Sequence, residues 1–163
     1  MSLHYVLDGY NIIKKIPSLN NKKLKIAREQ LLNFIEIYRP HGSYRNSITV
    51  VFDGSEEIYG NDGSYGYNIQ IVFTKRQSAD DYIKLLIEKS KNAKDFCVVS
   101  DDKDIRFYCQ ALGCKVIDVD TFIAKGKKSG IKRHSEQNDL GYLGIPQVEL
   151  DKITEELRLK WLK

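Results

Sequence analysis

Cysteine is scarce in this sequence, which contains only three: Cys97, Cys109 and Cys114. Their number is odd, and their spacing matches no common metal-binding motif. We therefore expect reduced thiols in a cytoplasmic protein rather than a framework of disulfides. Apolar runs are short, and none approaches the ~20 residues of a membrane-spanning helix. The N-terminus shows no basic segment followed by an apolar one, so we expect no secretory signal and no membrane partner.

Charge of one sign is not in large excess either. The 163 residues include 26 basic and 22 acidic side chains, which leaves a formal net charge of +4. Such a balance permits a nucleic-acid partner without requiring one. The length suits one domain, and a hydrophobic fraction of 42% is ordinary for a globular protein with one core.

Short apolar runs that alternate with helical patterns predict the fold class. The runs are mostly continuous, which suits parallel strands buried on both faces of a sheet. Apolar residues at 3.6-residue spacing predict helices between them. This alternation predicts an α/β fold, a three-layer sandwich with a mostly parallel central sheet flanked by helices. The predicted strands are 3–7, 48–52, 68–73, 96–99 and 115–117, and the predicted helices are 24–38, 79–90 and 105–112.

The composition changes in the last part of the sequence. Residues 125–146 are rich in Lys, Gly, Ser and Asn, which predicts a basic flexible loop or linker. Pro146 then precedes an apolar pattern of helical spacing. We therefore predict a main domain at residues 1–124, a linker at 125–146, and a C-terminal helix at 147–163 that packs on the same domain.

Acidic residues gather where the predicted strands end. Asp8 and Asp53 directly follow predicted strands, and Asp101 follows the strand 96–99 after Ser100. Ligands of parallel sheets bind at this edge, and several carboxylates there repel one another unless a cation neutralises them. Oxygen ligands suit Mg²⁺ or Mn²⁺, whereas the histidines and cysteines do not cluster with these acids, which argues against Zn²⁺. Further acids lie nearby in the sequence: Asp80, Asp81, Asp102 and Asp104.

Each of these acids also has a purely structural interpretation. Ser78-Ala79-Asp80-Asp81 fits a capping box, which explains Asp81 and leaves Asp80 as the better candidate ligand. Ser100 or Asp101 could cap the following helix, and Asp53-Gly54 could form a turn. Asn11 could orient Asp8 or a metal-bound water, or could cap a helix.

Four segments, in the same order, resemble the NYN domain, a branch of the PIN-like ribonuclease superfamily, and its YacP-like subgroup in particular. The first is Val6-Leu7-Asp8-Gly9-Tyr10-Asn11-Ile12-Ile13, and the second is Val50-Val51-Phe52-Asp53-Gly54. The third runs from Val72-Phe73-Thr74-Lys75 to Ser78-Ala79-Asp80-Asp81-Tyr82-Ile83, and the fourth is Val98-Val99-Ser100-Asp101. The resemblance covers about residues 3–124, which it identifies as a PIN-like nuclease domain.

The resemblance implies metal-dependent endonucleolytic cleavage of RNA by one or two Mg²⁺ or Mn²⁺ ions. It assigns the metal and the catalysis to Asp8, Asp80 and Asp101, with Asp104 as a fourth acid and Asn11 as a supporting polar residue. It leaves Asp53 with a structural or supporting role. One further implication is cleavage of mRNA at the ribosome, which would make mRNA and the ribosome partners.

Basic residues near the predicted site would hold the RNA backbone through its phosphates. Lys14 and Lys15 follow the first motif, and Lys75 and Arg76 precede the second acid pair. A later group is equally compatible with RNA contact and with a solvated loop: Lys125, Lys127, Lys128, Lys132 and Arg133. The tyrosines of the Gly-rich segment 54–67 could stack on unpaired bases, although a hairpin packed on the sheet is a slightly better interpretation.

Three other protein classes also place aspartates at strand ends. A receiver domain would need a Lys after the last strand, where Asp118 stands, and a phosphatase of the haloacid dehalogenase type would need an acid at the position of Tyr10. A non-catalytic RNA- or ribosome-binding module with a vestigial acidic site is the serious alternative. Cleavage of RNA that depends on a divalent cation would separate an enzyme from such a module.

Overall fold

The computed structural model describes residues 2–54, 63–64 and 68–134. In this part of the chain a sheet has the strand order β3-β4-β2-β1-β5-β6. All neighbouring strands are parallel except β3, which runs antiparallel to β4. The predicted mostly parallel sheet is therefore confirmed. The strands are β1 His4–Asp8, β2 Ser47–Asp53, β3 Gly63–Ser64, β4 Ile69–Thr74, β5 Phe96–Val99 and β6 Lys115–Ile117.

Helices cover both faces of this sheet, as the three-layer interpretation requires. The helices are α1 Gly9–Lys15, α2 Pro17–Asn20, α3 Leu24–Tyr38, α4 Ala79–Glu88, α5 Lys103–Ala111 and α6 Val119–His134, and a 3-10 helix spans Ala93–Asp95. The sequence patterns predicted α3, α4 and α5 but not α1, α2 or α6. No helix within the described residues is long and apolar enough to cross a bilayer.

Two apolar clusters fill the spaces between the layers. The first lies between the sheet and helices α1, α2, α3 and α6, and it contains Tyr5 and Leu7 of β1. The second lies on the opposite face, below α4 and α5, and contains Val6. Successive side chains of a strand point to opposite faces, so the central strand β1 contributes to both clusters. This alternation also decides to which face each acidic residue at the strand ends belongs.

The prediction of a loop or linker beginning at residue 125 is wrong over residues 125–134, where α6 continues to His134. Glycine and lysine suggested a loop, but Gly126 has a packing role instead. A Cβ atom there would lie 2.8 Å from Cζ of Phe34 and 3.2 Å from Cβ of Pro40. Glycine thus allows α6 to approach α3 closely. Residues 135–163, which include the predicted C-terminal helix, lie outside the described residues.

Gly9 is the first residue of α1 and lies against the ring of the buried Phe52. A Cβ atom added at Gly9 would be 2.3 Å from Cε1 of that ring. The helix can therefore begin directly after Asp8 only because no side chain separates it from β2. This close approach fixes the start of α1 relative to the end of β1.

We expect Gly9→Ala to lower the free energy of unfolding by about 1–3 kcal/mol, because the added methyl group overpacks the contact with Phe52. Urea unfolding measures this change. Gln110→Ala is the control, since Gln110 is exposed on a helix, and it should shift stability by about 0.5 kcal/mol or less. A Gly9→Ala protein as stable as the control would show that the contact does not constrain the helix.

Candidate metal centre

Four aspartates lie at the carboxyl edge of the sheet, near the N-termini of α4 and α5. Asp8 ends β1 and is 8% exposed, whereas Asp53 ends β2 and is exposed. Asp80 lies in the first turn of α4, and Asp102 is the N-cap of α5. These acids come from four different elements, and the β1–α1 turn and the two helix starts hold them in place.

The electrostatics of Asp8 show that these acids form one cluster. Its pKa is raised from 3.8 to about 6, first by burial and then by the negative charges of Asp80 and Asp102. A hydrogen bond from the backbone N–H of Asn11 and the positive charge of Lys14 oppose this rise. Burial disfavours a charged carboxylate, and a neighbouring like charge adds to that penalty. The ionised form of Asp8 is therefore destabilised in the folded protein.

The pKa of Asp80 is also raised by burial and by neighbouring acids. Burial raises its pKa, and the charges of Asp102, Asp81 and Asp53 raise it further, while Lys84 opposes the rise. Asp8 and Asp80 therefore share Asp102 as a negatively charged neighbour. We call Asp8, Asp80 and Asp102 the acidic pocket, with Asp53 at its rim.

Asp101 is placed differently from the other acids. Its Oδ1 accepts a hydrogen bond of 3.0 Å from the backbone N–H of Val119, at the start of α6. Its Oδ2 lies 2.7 Å from Nζ of Lys15, in the last turn of α1. Both carboxylate oxygens therefore contact the elements that cover the first apolar cluster. The structure does not bring the Asp101 carboxylate together with the acidic pocket.

Strand alternation explains why Asp102 and not Asp101 joins the pocket. Val6 is level with Val98 in the parallel register of β1 and β5, and both belong to the second apolar cluster. Every second residue of a strand points to the same face, so Asp8 lies on the face of Val6, and Asp102 lies on the face of Val98. Asp101 continues instead from Val99 in the first cluster. This alternation was available in the sequence, but Asp101 was selected as a ligand instead of Asp102 because it is the first acid after the strand.

Capping hydrogen bonds involve Ser78 at the start of α4 and Asp102 at the start of α5. The Ser78 hydroxyl accepts a 3.1 Å bond from the N–H of Asp81, so the predicted cap of α4 is confirmed. Asp102, rather than Ser100 or Asp101, caps α5, because its Oδ1 accepts from the N–H groups of Asp104 and Ile105 at 2.8 and 3.2 Å. The side chain of Asp104 is exposed in the first turn of α5.

Asn11 does not cap α1, since the N-cap of that helix is Asp8. The side-chain Oδ1 of Asn11 accepts a long hydrogen bond of 3.4 Å from the backbone N–H of Asp101. Asn11 therefore connects the β1–α1 turn to the loop after β5. It links the strand end that carries Asp8 to the loop that carries Asp102.

The predicted RNA-binding residues are found in two environments. Lys14, Lys75 and Arg76 are exposed, and the last two follow β4 directly. Lys15 instead lies beside Asp101 and is also 3.7 Å from Oδ2 of Asp120. Of the later basic group, Lys125, Lys127 and Lys128 lie on α6, whereas the side chains of Lys132 and Arg133 are outside the described part.

The predicted hairpin in the Gly-rich segment 54–67 has partial support. Within that segment β3 pairs antiparallel with β4, Gly63 opposite Ile71 and Ser64 opposite Gln70. The side chains of its tyrosines lie outside the described residues, so their predicted stacking on bases stays a prediction.

Comparisons with known proteins identify similar folds. A family model described as the YacP-like NYN domain matches residues 5–158. The crystal structure of a tryptophan-to-leucine mutant of Rae1 (YacP) from Bacillus subtilis is 20% identical, with a TM-score of 0.62, and 99% of each chain is covered. A second structure of Rae1 (YacP) from Bacillus subtilis is 19% identical, with a TM-score of 0.62, and covers 98% of this chain and 88% of that chain. At these identities the likeness shows the fold. No curated protein matches the sequence.

The donor chemistry of the acidic pocket fits a hard divalent cation. Asp8, Asp80 and Asp102 offer only carboxylate oxygens, the ligands that suit Mg²⁺ and Mn²⁺. The repulsion that raises the pKa of Asp8 is the penalty that a bound cation would relieve. Within residues 2–54, 63–64 and 68–134, no three acidic, histidine or cysteine side chains already form a closed metal site. The side chains of the pocket would therefore have to move closer together to coordinate an ion.

We expect Asp8→Asn to raise the free energy of unfolding at pH 7 by about 1–3 kcal/mol in the presence of EDTA, since one pKa unit corresponds to about 1.4 kcal/mol. The pKa of Asp8 is higher in the folded protein than its ordinary 3.8, so protonation favours the folded state. That contribution is lost as the pH rises from about 4 through 6. The stability gap between variant and wild type should therefore widen from pH 5 to pH 7.

Urea unfolding at the two pH values measures this gap. Asp81→Asn is the matched control, because Asp81 is an exposed aspartate in the first turn of α4. Its stability should stay within about 0.5 kcal/mol of the wild type. An Asp8→Asn protein less stable than the wild type at pH 7 would contradict the repulsion that we infer.

Proposed function

The chain belongs to the family of YacP-like NYN domains, and from this premise we propose that it is a metal-dependent endoribonuclease that hydrolyses RNA phosphodiester bonds. Membership in this family suggests a ribonuclease-type function. The observation that supports metal dependence is the acidic pocket, in which the buried Asp8 carboxylate is close enough to Asp80 and Asp102 for their charges to raise its pKa.

The proposed cofactor is Mg²⁺ or Mn²⁺, held by Asp8, Asp80 and Asp102. Such an ion, when bound, makes a water molecule more acidic and stabilises negative charge on the phosphate. Asp8 is the central ligand of the proposal, because it is the most buried acid of the pocket. Asp104 lies in the first turn of the helix that Asp102 caps, so it stays a predicted further ligand. Asn11 is proposed to keep the β1–α1 turn and the loop after β5 in place.

The proposed substrate is RNA held along its backbone by exposed basic residues around the pocket. Lys14, Lys75 and Arg76 are exposed and attached to the elements that carry Asp8 and Asp80. Lysine and arginine contacts to phosphates give affinity without sequence preference. From the family alone we further propose mRNA and the ribosome as partners. A cytoplasmic location is proposed as well, and the three free, buried cysteines are compatible with it.

We expect Asp8→Asn to reduce RNA cleavage by at least about 100-fold while RNA affinity changes little, because the substitution removes a ligand and leaves the basic residues in place. Cleavage of a labelled RNA in Mn²⁺ and binding of the same RNA in EDTA measure the two quantities. Addition of EDTA should stop cleavage by the wild type.

Asp81→Asn is the control for this experiment, and its cleavage rate should stay within about threefold of the wild type. Unchanged cleavage by Asp8→Asn would refute the assignment of Asp8, and cleavage that survives EDTA would refute metal dependence. A wild type that binds RNA in Mn²⁺ without cleaving it would instead support the alternative of a non-catalytic RNA-binding module.

A further inference from the structure

Lys84 is a half-buried lysine on α4, one helical turn after Asp80. Residues four apart are neighbours on the same face of a helix, and about 6 Å of helix axis separates them. Within the part of the chain that the structure describes, no carboxylate forms an ion pair with the ammonium group of Lys84. Its positive charge therefore lies beside the acidic pocket without being neutralised by a direct acidic partner.

A contact with an aromatic ring places this ammonium group between α4 and α5. Nζ of Lys84 lies 5.5 Å from the centre of the ring of Tyr108, a residue of α5. The face of an aromatic ring attracts a cation electrostatically. It does not use the three N–H donors of an ammonium group as a carboxylate would. Lys84 is therefore held in place by a contact that leaves donors for the oxygen atoms of a ligand.

The charge of Lys84 acts on both of these helices. Burial raises the pKa of Asp80 on α4, and Lys84 opposes that rise. Burial also raises the pKa of the Cys109 thiol on α5 to about 11, and Lys84 again opposes the rise. The lysine that opposes the raised pKa of Asp8 is Lys14 instead. Lys84 therefore lies on the α4–α5 side of the acidic pocket.

Basic residues lie on both sides of Asp80 along the chain. Lys75 and Arg76 directly follow β4 and precede α4, and both are exposed. Lys84 follows Asp80 by one turn of α4. An RNA strand whose phosphates contact both sets of basic residues would therefore have to pass Asp80 and the acidic pocket.

We propose that Lys84 binds a phosphate of the RNA on the α4–α5 side of the acidic pocket, so that the strand runs from Lys75 and Arg76 past Asp80 toward α5. The inference rests on the proposed function and deepens it, because it names a further substrate-binding residue and the course of the RNA across the site. A phosphate fits this position, since a lysine ammonium group contacts phosphate as a point charge and reads no base.

The salt dependence of RNA binding tests this proposal. Lys84→Met keeps the apolar stem of the side chain and removes the ammonium group. Each lysine contact to a phosphate of a single strand contributes about 0.7 to the slope of log affinity against log salt concentration. We expect Lys84→Met to reduce the magnitude of this slope by about 0.7 for single-stranded RNA in EDTA. The affinity ratio of wild type to variant should therefore shrink about 2.5-fold between about 50 and 200 mM salt.

The loss of affinity should not depend on the base. We expect about a threefold to tenfold loss at about 100 mM salt for oligoadenylate and oligouridylate alike, because contacts to phosphates carry no sequence information. Lys84→Arg keeps the charge and should keep the slope of the wild type.

Lys89→Met is the matched control, because Lys89 is an exposed lysine at the C-cap of the same helix. Its slope should differ from that of the wild type by less than about 0.3. A Lys84→Met slope equal to that of this control would overturn the proposal and leave Lys84 with a structural contact to Tyr108 alone. A loss confined to one of the two RNAs would also overturn it, because that result indicates a contact with a base. Lys84→Gln gives the same comparison if Lys84→Met does not fold.

The role of Lys84 and the proposed nuclease function fail in different ways. A wild type that binds RNA in EDTA and cleaves none in Mn²⁺ contradicts the nuclease function, and the slope of Lys84→Met still decides whether Lys84 contacts a phosphate. A wild type that cleaves RNA, with an unchanged slope in Lys84→Met, contradicts the role of Lys84 alone. A wild type that binds no RNA contradicts both.

Discussion

The alternation of side chains along buried parallel strands is the constraint on which the arrangement of this protein depends. The central strand β1 contributes Leu7 to one apolar cluster and Val6 to the other, and both side chains are fully buried. The same alternation decides on which of the two faces an acidic residue beyond the strand end lies. Asp8 and Asp102 therefore meet on the face of α4 and α5, while Asp101 meets Lys15 on the face of α1 and α6.

The acidic pocket and the group of Asp101 and Asp120 differ in how far their negative charges are neutralised by the chain itself. On the α1 side, an ammonium group from the chain itself lies among the carboxylates, and the result is a structural link between two helices and a loop. In the acidic pocket, the repulsion is offset only in part by Lys14 and Lys84. Folding tolerates this because the surrounding apolar core supplies far more free energy than the repulsion costs. A buried carboxylate whose pKa is raised by neighbouring acids is typical of a functional site.

The sequence was sufficient to predict the elements whose structure is determined by a local pattern of residues. Continuous apolar runs identify β1, β2 and β5, and the Ser78 cap identifies the start of α4. It was not sufficient for α6, because the close contact that Gly126 makes with Phe34 involves residues far apart in the chain. The separation of Asp101 from Asp102 was missed for another reason. The predicted strand 96–99 coincides with β5, but the alternation of its side chains was not continued through Ser100 to Asp102, and a shift of one residue reverses the face.

The net charge of +4 acquires a more specific meaning from this separation of the charged groups. Lys15 is neutralised inside the structure, so it contributes little to a field that an RNA phosphate would encounter. The exposed Lys14, Lys75 and Arg76 lie around a pocket that is itself strongly negative. The basic residues would hold an RNA backbone beside the pocket with or without an ion, whereas a phosphate would enter the pocket itself only when a cation reduces its charge. Metal binding would therefore be coupled to the placement of that phosphate and not to the overall affinity for RNA.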